Sequence, residues 1–291
     1  MRGSVSSIYL GIFLAIFSFF LLIYFIHYVC NTIQVDYVLD FLTNDTKETI
    51  FRVFSKKEDK IVNCNIEKYS LSKPTSIVST KTGYIQSLDL EKIAEFARDT
   101  DIVIEPLKLP GEFIFKNMVI ANIYGQSNYD EITKCINLNI RTGRRRTTVQ
   151  DVEFGFEQIS EVALRALSPG INNVYTAILC VHRIGELLES LSTVKIPAGV
   201  IIKENKLCVF YTNYTYESIC GIALNALRQN CFQHVNITIE VLNMIRNVQS
   251  LHLPKEMARA LDKQAETLFS AAENQQHHTA DFQDIIKAYE Q

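Results

Sequence analysis

From Ile8 to Val29 the chain runs for 22 residues without an Asp, Glu, Lys or Arg. As an α-helix rising about 1.5 Å per residue, this run is roughly 33 Å long, close to the hydrocarbon thickness of a bilayer. A helix in lipid satisfies its backbone hydrogen bonds internally and needs no other partner. Tyr9, Tyr24 and Tyr28 lie near its ends, where an aromatic belt meets the headgroups. His27 is the only side chain in the run that titrates near neutrality, and with Ser18 it is the polar exception. The run is longer than the roughly 7–15 apolar residues of a signal-peptide core, and no A-x-A-like site follows it. The sequence therefore predicts a permanent spanning helix rather than a cleaved signal.

The rest of the chain has the composition of a folded protein. Of 291 residues, 47% are apolar and 21% charged, which excludes global disorder. The formal net charge of −3 asks for no nucleic acid partner. Seven cysteines, Cys30 at the membrane edge and Cys64, Cys135, Cys180, Cys208, Cys220 and Cys231 beyond it, form no compact framework. An odd, scattered set suits a reducing compartment. Arg2 and Lys47 make the positive-inside count a draw, and the N-x-Thr triplets at Asn44, Asn213 and Asn236 argue little for secretion. The expected location is the cell membrane, single-pass, with the bulk of the chain cytoplasmic and the lipid bilayer as a partner.

The expected fold class is α+β: one transmembrane helix, then a small β-rich barrel-sandwich-like module and a larger mainly helical module with a β-hairpin. The expected segments are 1–29, the spanning helix; 30–60, a juxtamembrane helical linker; 61–126, the β-rich module; and 127–291, the helical module. In the linker, Ile33, Tyr37, Val38, Phe41 and Leu42 oppose Asn31, Asp36 and Asp40 at helical spacing. The stripe through Cys30, Ile33, Tyr37 and Phe41 could lie on the bilayer, on its own domain or on a second copy, giving a homo-oligomer. Residues 46–54 read as a helix and residues 55–60 as a charged loop.

Beyond it, strands are expected at 76–79, 83–88 and 102–104. Asp89 caps a helix that turns Ile93, Ala94 and Ala97 inward. Residues 112–115 and 118–121 read as a hairpin, with Asn117 taking the positive φ of its turn. The motifs Gly83-Tyr84-Ile85 and Gly111-Glu112-Phe113-Ile114-Phe115-Lys116-Asn117 resemble those of lipoyl/biotinyl-type barrel-sandwich domains. The separate tight turn that carries their modifiable lysine is not visible, so no cofactor is expected. After a short helix at 128–139 come a basic connector at 142–147 and helices at 148–167 and 172–191. Ser168-Pro169-Gly170 breaks the first and Asn172 caps the second, making an αα-hairpin. A β-hairpin around Glu204-Asn205 and helices at 215–229, 236–248, 254–272 and 281–289 follow.

Three stretches carry a wider resemblance. They are Tyr24-Phe25-Ile26-His27-Tyr28 with Thr32-Ile33-Gln34-Val35; Gly83-Tyr84-Ile85-Gln86; and the run from Arg146-Thr147-Thr148-Val149-Gln150-Asp151 through Gly155 into Ala163-Leu164-Arg165-Ala166-Leu167-Ser168-Pro169-Gly170-Ile171-Asn172. The chain resembles the bacterial predicted membrane proteins grouped as domain of unknown function 2254. Asn173-Val174 stands where that family usually reads Asp-Pro, while Thr176-Ala177 is kept. Family members carry further spans before this one, so the resemblance implies a shortened member starting at the last span. It implies no established activity.

No G-x-G-x-x-G, Walker A, G-x-S-x-G, C-x-x-C or H-E-x-x-H motif is present. His277-His278 lie in a polar tail, and His182, His234 and His252 have no ligand at metal spacing, so no metal is expected. The candidate site is the polar set Arg146, Gln150, Asp151, Arg165, Ser168 and Asn172. Three readings stay open. The set could cap helices and fix the hairpin turn; it could hold a small anionic ligand at the second helix's start; or it could do acid–base chemistry. Arg144-Arg145-Arg146 could be a solvated connector or touch anionic headgroups. The expected function is non-enzymatic: a cytoplasmic regulatory, scaffolding or transport-associated domain on a membrane anchor. The alternatives are an ion- or small-ligand-handling protein that needs oligomer partners or missing helices, and an uncharacterised hydrolase.

Overall fold

The computed structural model describes residues 2–32, 35–54, 73–126, 128–275 and 277–290, with side chains described from 9 to 26 and from 35 onward within those bounds. His27, Tyr28, Cys30, Ile33, Cys64 and the charged loop at 55–60 lie outside the described residues or side chains. The chain divides into two compact units, Met1–Leu42 and Thr43–Gln291. Among the described residues there are ten α-helices and eight strands.

The first unit holds α1 (Arg2–Thr32) and the start of α2 (Val35–Phe54). Within α1 the window Tyr9–Ile26 has a mean hydropathy of 2.5, and none of it is buried. Apolar side chains exposed on every side of a helix are costly in water and suited to lipid. Phe13 and Phe17 stack along one face at 6.3 Å. This is one apolar helix long enough to cross a membrane.

The second unit contains the end of α2 and the remaining elements: β1 (Thr75–Val78), β2 (Gly83–Leu88), α3 (Leu90–Thr100), β3 (Val103–Pro106), β4 (Phe113–Ile114), β5 (Val119–Tyr124), α4 (Tyr129–Asn139) and β6 (Ile140–Gly143). These are followed by α5 (Val152–Ala166), α6 (Val174–Ser192), β7 (Val200–Lys203), β8 (Lys206–Phe210), α7 (Tyr216–Cys231), α8 (Val235–Gln249), α9 (Lys255–Glu273) and α10 (Thr279–Glu290). Asp89 caps α3 by accepting the Lys92 N–H at 3.2 Å, and Ile93, Ala94 and Ala97 are buried.

Among the described residues the strands make no closed barrel. They form one sheet in the order β1-β5-β3-β8-β7 and another in the order β4-β2-β6. The expected hairpin at 112–121 explains the difference. Its turn is as expected, with Asn117 at φ 67° and the Met118 N–H bonded to the Phe115 carbonyl at 3.0 Å. Its two strands nevertheless join different sheets. β4 pairs with β2, whereas β5 pairs with β1 and β3. A strand pair that separates after its turn cannot continue the ladder needed to close a barrel.

The hairpin of β7 and β8 also belongs to the sheet rather than to the helices. β8 runs parallel to β3, with Ile104 opposite Val209. Cys208 and Val209 join Ile77, Ile104, Ile123 and the inward face of α3 in one core. Glu204 and Asn205 both take positive φ, the shape of a tight two-residue hairpin turn.

The helical layer is built on α5 and α6. α5 packs against α6 and α7, α6 against α8, and α7 against α9. Cys180, Cys220 and Cys231 are fully buried in this layer, and burial pushes their thiols up to about 12. At pH 8 that leaves about one thiol in ten thousand as the reactive thiolate. With Cys30 and Cys64 replaced by Ser, alkylation of the folded chain is therefore expected to be very slow at these three positions. It should rise in a single step as urea unfolds the protein. Rapid modification of any of the three in the folded state would show that this packing is wrong.

Candidate functional site

Asp151 is the N-cap of α5. Its Oδ1 accepts the Phe154 N–H at 3.0 Å, which satisfies one of the free donors at a helix start. The residue is 2% exposed. Such a carboxylate requires a countercharge, and Arg146 supplies it bidentately: Nε to Oδ2 at 2.8 Å and Nη2 to Oδ1 at 3.0 Å. The third guanidinium nitrogen reaches Glu157 Oε2 at 2.5 Å, and the guanidinium carbon lies 4.9 Å from the Phe154 ring centroid. Gly111, at φ 97°, brings its backbone onto this pair. A Cβ there would stand 2.3 Å from Asp151 Oδ2.

The connector before α5 ties three other elements to this ion pair. Gln150 Oε1 accepts the Leu88 N–H at 2.9 Å, and Gln86 donates to the Arg145 carbonyl at 2.9 Å, which fixes β2. The Tyr214 hydroxyl donates to the Gln150 carbonyl at 3.4 Å. On the other side lies the end of α2. Thr49 Oγ1 donates to the Thr148 carbonyl at 2.7 Å, Arg52 Nε donates to the Val149 carbonyl at 3.1 Å, and the Thr148 hydroxyl donates to Asp45. Lys47 pairs with Glu186 of α6 at 2.5 Å. Arg144 and Arg145 face solvent while Arg146 turns inward.

The electrostatics follow from this burial. Burial raises the Glu153 carboxyl above its ordinary range, opposed by a hydrogen bond from Ser218 and reinforced by Asp151 and Glu157. Burial also raises the Tyr214 phenol, and the Asp151 and Glu153 charges push it the same way. All three guanidinium nitrogens of Arg146 and both oxygens of Asp151 are already engaged. The geometry is that of a closed ion pair at a junction, and an incoming anion would have to displace Asp151 or Glu157.

The six candidate residues do not converge. Arg146, Gln150 and Asp151 stand at the start of α5, while Arg165, Ser168 and Asn172 stand at its end. The helix between them, 15 residues, is about 22 Å long. Arg165 is 73% exposed and pairs with Glu161, itself 61% exposed, at 2.5 Å. Ser168 donates to the Arg165 carbonyl at 2.7 Å, closing the helix end locally. Asn172 takes the left-handed conformation at φ 46°, and the cap of α6 is Asn173, whose Oδ1 accepts the Thr176 N–H at 3.1 Å. An exposed ion pair of this kind contributes about 0.5 kcal/mol or less. Arg165→Ala is therefore expected to shift the thermal midpoint by no more than about 2 °C. A larger drop would mean that Arg165 supports something beyond Glu161.

Sequence reasoning did not single out Glu157, Tyr214, Asp45 or Thr148. Glu157 carried a signal: it lies on the first turns of the helix that Asp151 caps, within reach of Arg146. Asp45 and Tyr214 reach the junction from distant parts of the chain, and nothing local marks them. Among the described residues, no group of three or more His, Cys, Asp or Glu side chains is placed to hold a metal.

The predicted membrane protein family DUF2254 matches residues 3–247. Uncharacterised proteins of Mycobacterium tuberculosis (strains CDC 1551 and H37Rv) and Mycobacterium bovis are 26% identical to this chain over 193 residues, covering 64% of it and 37% of their own length. The chain thus spans little more than a third of the length of the curated relatives it matches. No solved structure matches it significantly. With an unburied apolar helix near its start and a match that reaches from that helix through α5, α6 and most of α8, the chain belongs to the predicted membrane protein family DUF2254.

Proposed function

We propose that this chain is a membrane-anchored, non-enzymatic module whose second unit, on the cytoplasmic side of the cell membrane, has a regulatory, scaffolding or transport-associated role. One observation carries the reading. α2 begins just beyond the apolar helix, and its far end is held by the connector that ends in the Arg146–Asp151 pair. A helix held in this way can deliver a displacement to the junction of β2, α5 and α7. The engaged state of Asp151 and Arg146 supports a positioning role over acid–base chemistry. Exposed Tyr37 and Phe41 on α2 offer an apolar face to the bilayer or to a second copy.

A carboxyl-terminal fusion to a fluorescent protein is expected to fluoresce, and the matching phosphatase fusion to be inactive, with both retained after a carbonate wash. An active phosphatase would reverse the orientation, and release into the soluble fraction would remove the anchor. The full chain in liposomes is expected to pass ions no faster than protein-free liposomes. A saturable flux would replace this reading with ion or small-ligand handling by an oligomer.

A further inference from the structure

A cleft of about 960 Å³ opens in the second unit between the segment after α6, the start of α7 and one face of α9. Ligand pockets commonly measure about 300–1,000 Å³, with an apolar lining and a few placed charges. The less exposed part of this lining is apolar: Val194, Ile196, Pro197, Ala260 and the rings of Tyr214 and Tyr216. The exposed part is charged, with Lys195, Arg259 and Lys263 against Glu217 and Glu256. Lys263 pairs with Glu217 at 2.7 Å, and with Glu256 set against the other two cations the rim carries one net positive charge. The Tyr216 hydroxyl donates to the Val194 carbonyl at 2.7 Å, which fixes two walls to each other before anything binds. A preformed cleft loses less entropy on binding.

The geometry points to a binding site for a small organic anion with an apolar body, its acid group at Arg259 and its body against Tyr214 and Tyr216. An apolar floor beneath a cationic rim discriminates against cations by charge and against fully hydrated inorganic anions by the floor they cannot use. The site also has a route outward. The Tyr214 ring meets Phe54, the last residue of α2, edge-on at 5.9 Å, while its hydroxyl reaches Gln150 next to Asp151. A body resting on Tyr214 therefore stiffens the end of α2. This second step rests on the regulatory reading above, whereas the binding step does not.

The test uses the full chain in nanodiscs and 8-anilinonaphthalene-1-sulfonate, an anion with an apolar body, with empty nanodiscs subtracted. Saturable binding at one site per chain is expected, weakened at least tenfold by Arg259→Glu and lost in Ala260→Trp. Arg259 is exposed, so its variant keeps the fold; a thermal melt checks the fold of Ala260→Trp. Displacement by oleate would identify a lipid-derived ligand, and displacement by naphthalene-2-carboxylate alone a soluble aromatic acid. Absence of saturable binding, or equal affinity in Arg259→Glu, would overturn the site. Hydrogen exchange at amides 46–54 should slow when the probe binds. Binding without that change would overturn the link to α2 and leave the site standing.

Discussion

Asp151→Ala is expected to cost roughly 3–4 kcal/mol and to lower the thermal midpoint by about 10 °C. The figure combines two losses. Removing an N-cap carboxylate costs about 1 kcal/mol. Removing one partner of a buried ion pair costs about 3–5 kcal/mol, because the other charge is left without compensation. The upper end does not apply here, since Arg146 is 21% exposed and keeps Glu157. For a unit of this size each kcal/mol shifts the midpoint by about 2–4 °C. Asp151→Asn separates the two losses, because its side-chain oxygen can still cap α5 while the charge is gone. It should cost about 1 kcal/mol less than Asp151→Ala. Arg146→Met should cost at least as much as Asp151→Ala: Asp151 keeps its bond to Phe154, but its buried carboxylate is left without a countercharge. Thermal melts of the full chain in nanodiscs, followed by circular dichroism, would measure all three. A drop of under about 3 °C for Asp151→Ala would mean that the pair behaves as a surface pair and holds nothing in place.

The parts of this structure that were legible in the sequence are those written in neighbouring residues. The membrane helix is a composition signal sustained over 22 uncharged positions, and no tertiary contact can mask it. Asp89 as the cap of α3 and the Pro-Gly break between α5 and α6 follow from residue chemistry within one turn. So does the Arg146–Asp151 pair, five residues apart. Strand partnership does not follow. The alternation in 112–121 with a good turn at Asn117 reads as one hairpin, yet it supplies β4 to one sheet and β5 to another. The choice depends on β3 and on β8, which lies about a hundred residues downstream, and local alternation carries no information on it. The same limit hid Tyr214 and Asp45 from the junction. At the start of α6 the sequence places two asparagines side by side, either of which can cap a helix or turn left-handed. Asn172 takes the turn and Asn173 the cap, a shift of one residue. Arg165 was legible as a polar residue near the hairpin turn but not as a solvent-facing one, because a short helical sequence does not say which polar stripe a neighbour will cover.

Gly155→Ala is expected to destabilise the chain by about 1–2 kcal/mol net, opposite in sign to the same change in an open helix. In an exposed helix interior, alanine is better than glycine by about 1 kcal/mol. At Gly155 a Cβ would stand 2.1 Å from Thr46 Oγ1, 2.5 Å from its Cγ2 and 2.8 Å from its Cβ. Thr46 is buried, and its β-branched side chain has few rotamers into which it can retreat. The end of α2 and α5 must then separate, which stretches the bonds from Thr49 and Asp45 to Thr148. Overpacking of this kind costs about 1–3 kcal/mol, and a larger side chain costs more. Gly155→Leu is thus expected to free residues 43–54 from the rest of the second unit while leaving the α5–α6 pair folded, visible as faster hydrogen exchange confined to those amides. Gly170→Ala is the control, since nothing lies within 4 Å of the added Cβ, and its effect should stay within about 0.5 kcal/mol. Thr46→Ala in the Gly155→Ala background should restore only part of the loss, because the Cβ–Cβ approach of 2.8 Å remains. If Gly155→Ala instead raises the melting temperature as it would in a solvated helix, the end of α2 is not seated on α5. The connector at 144–151 then holds no anchor, and the regulatory reading fails with it.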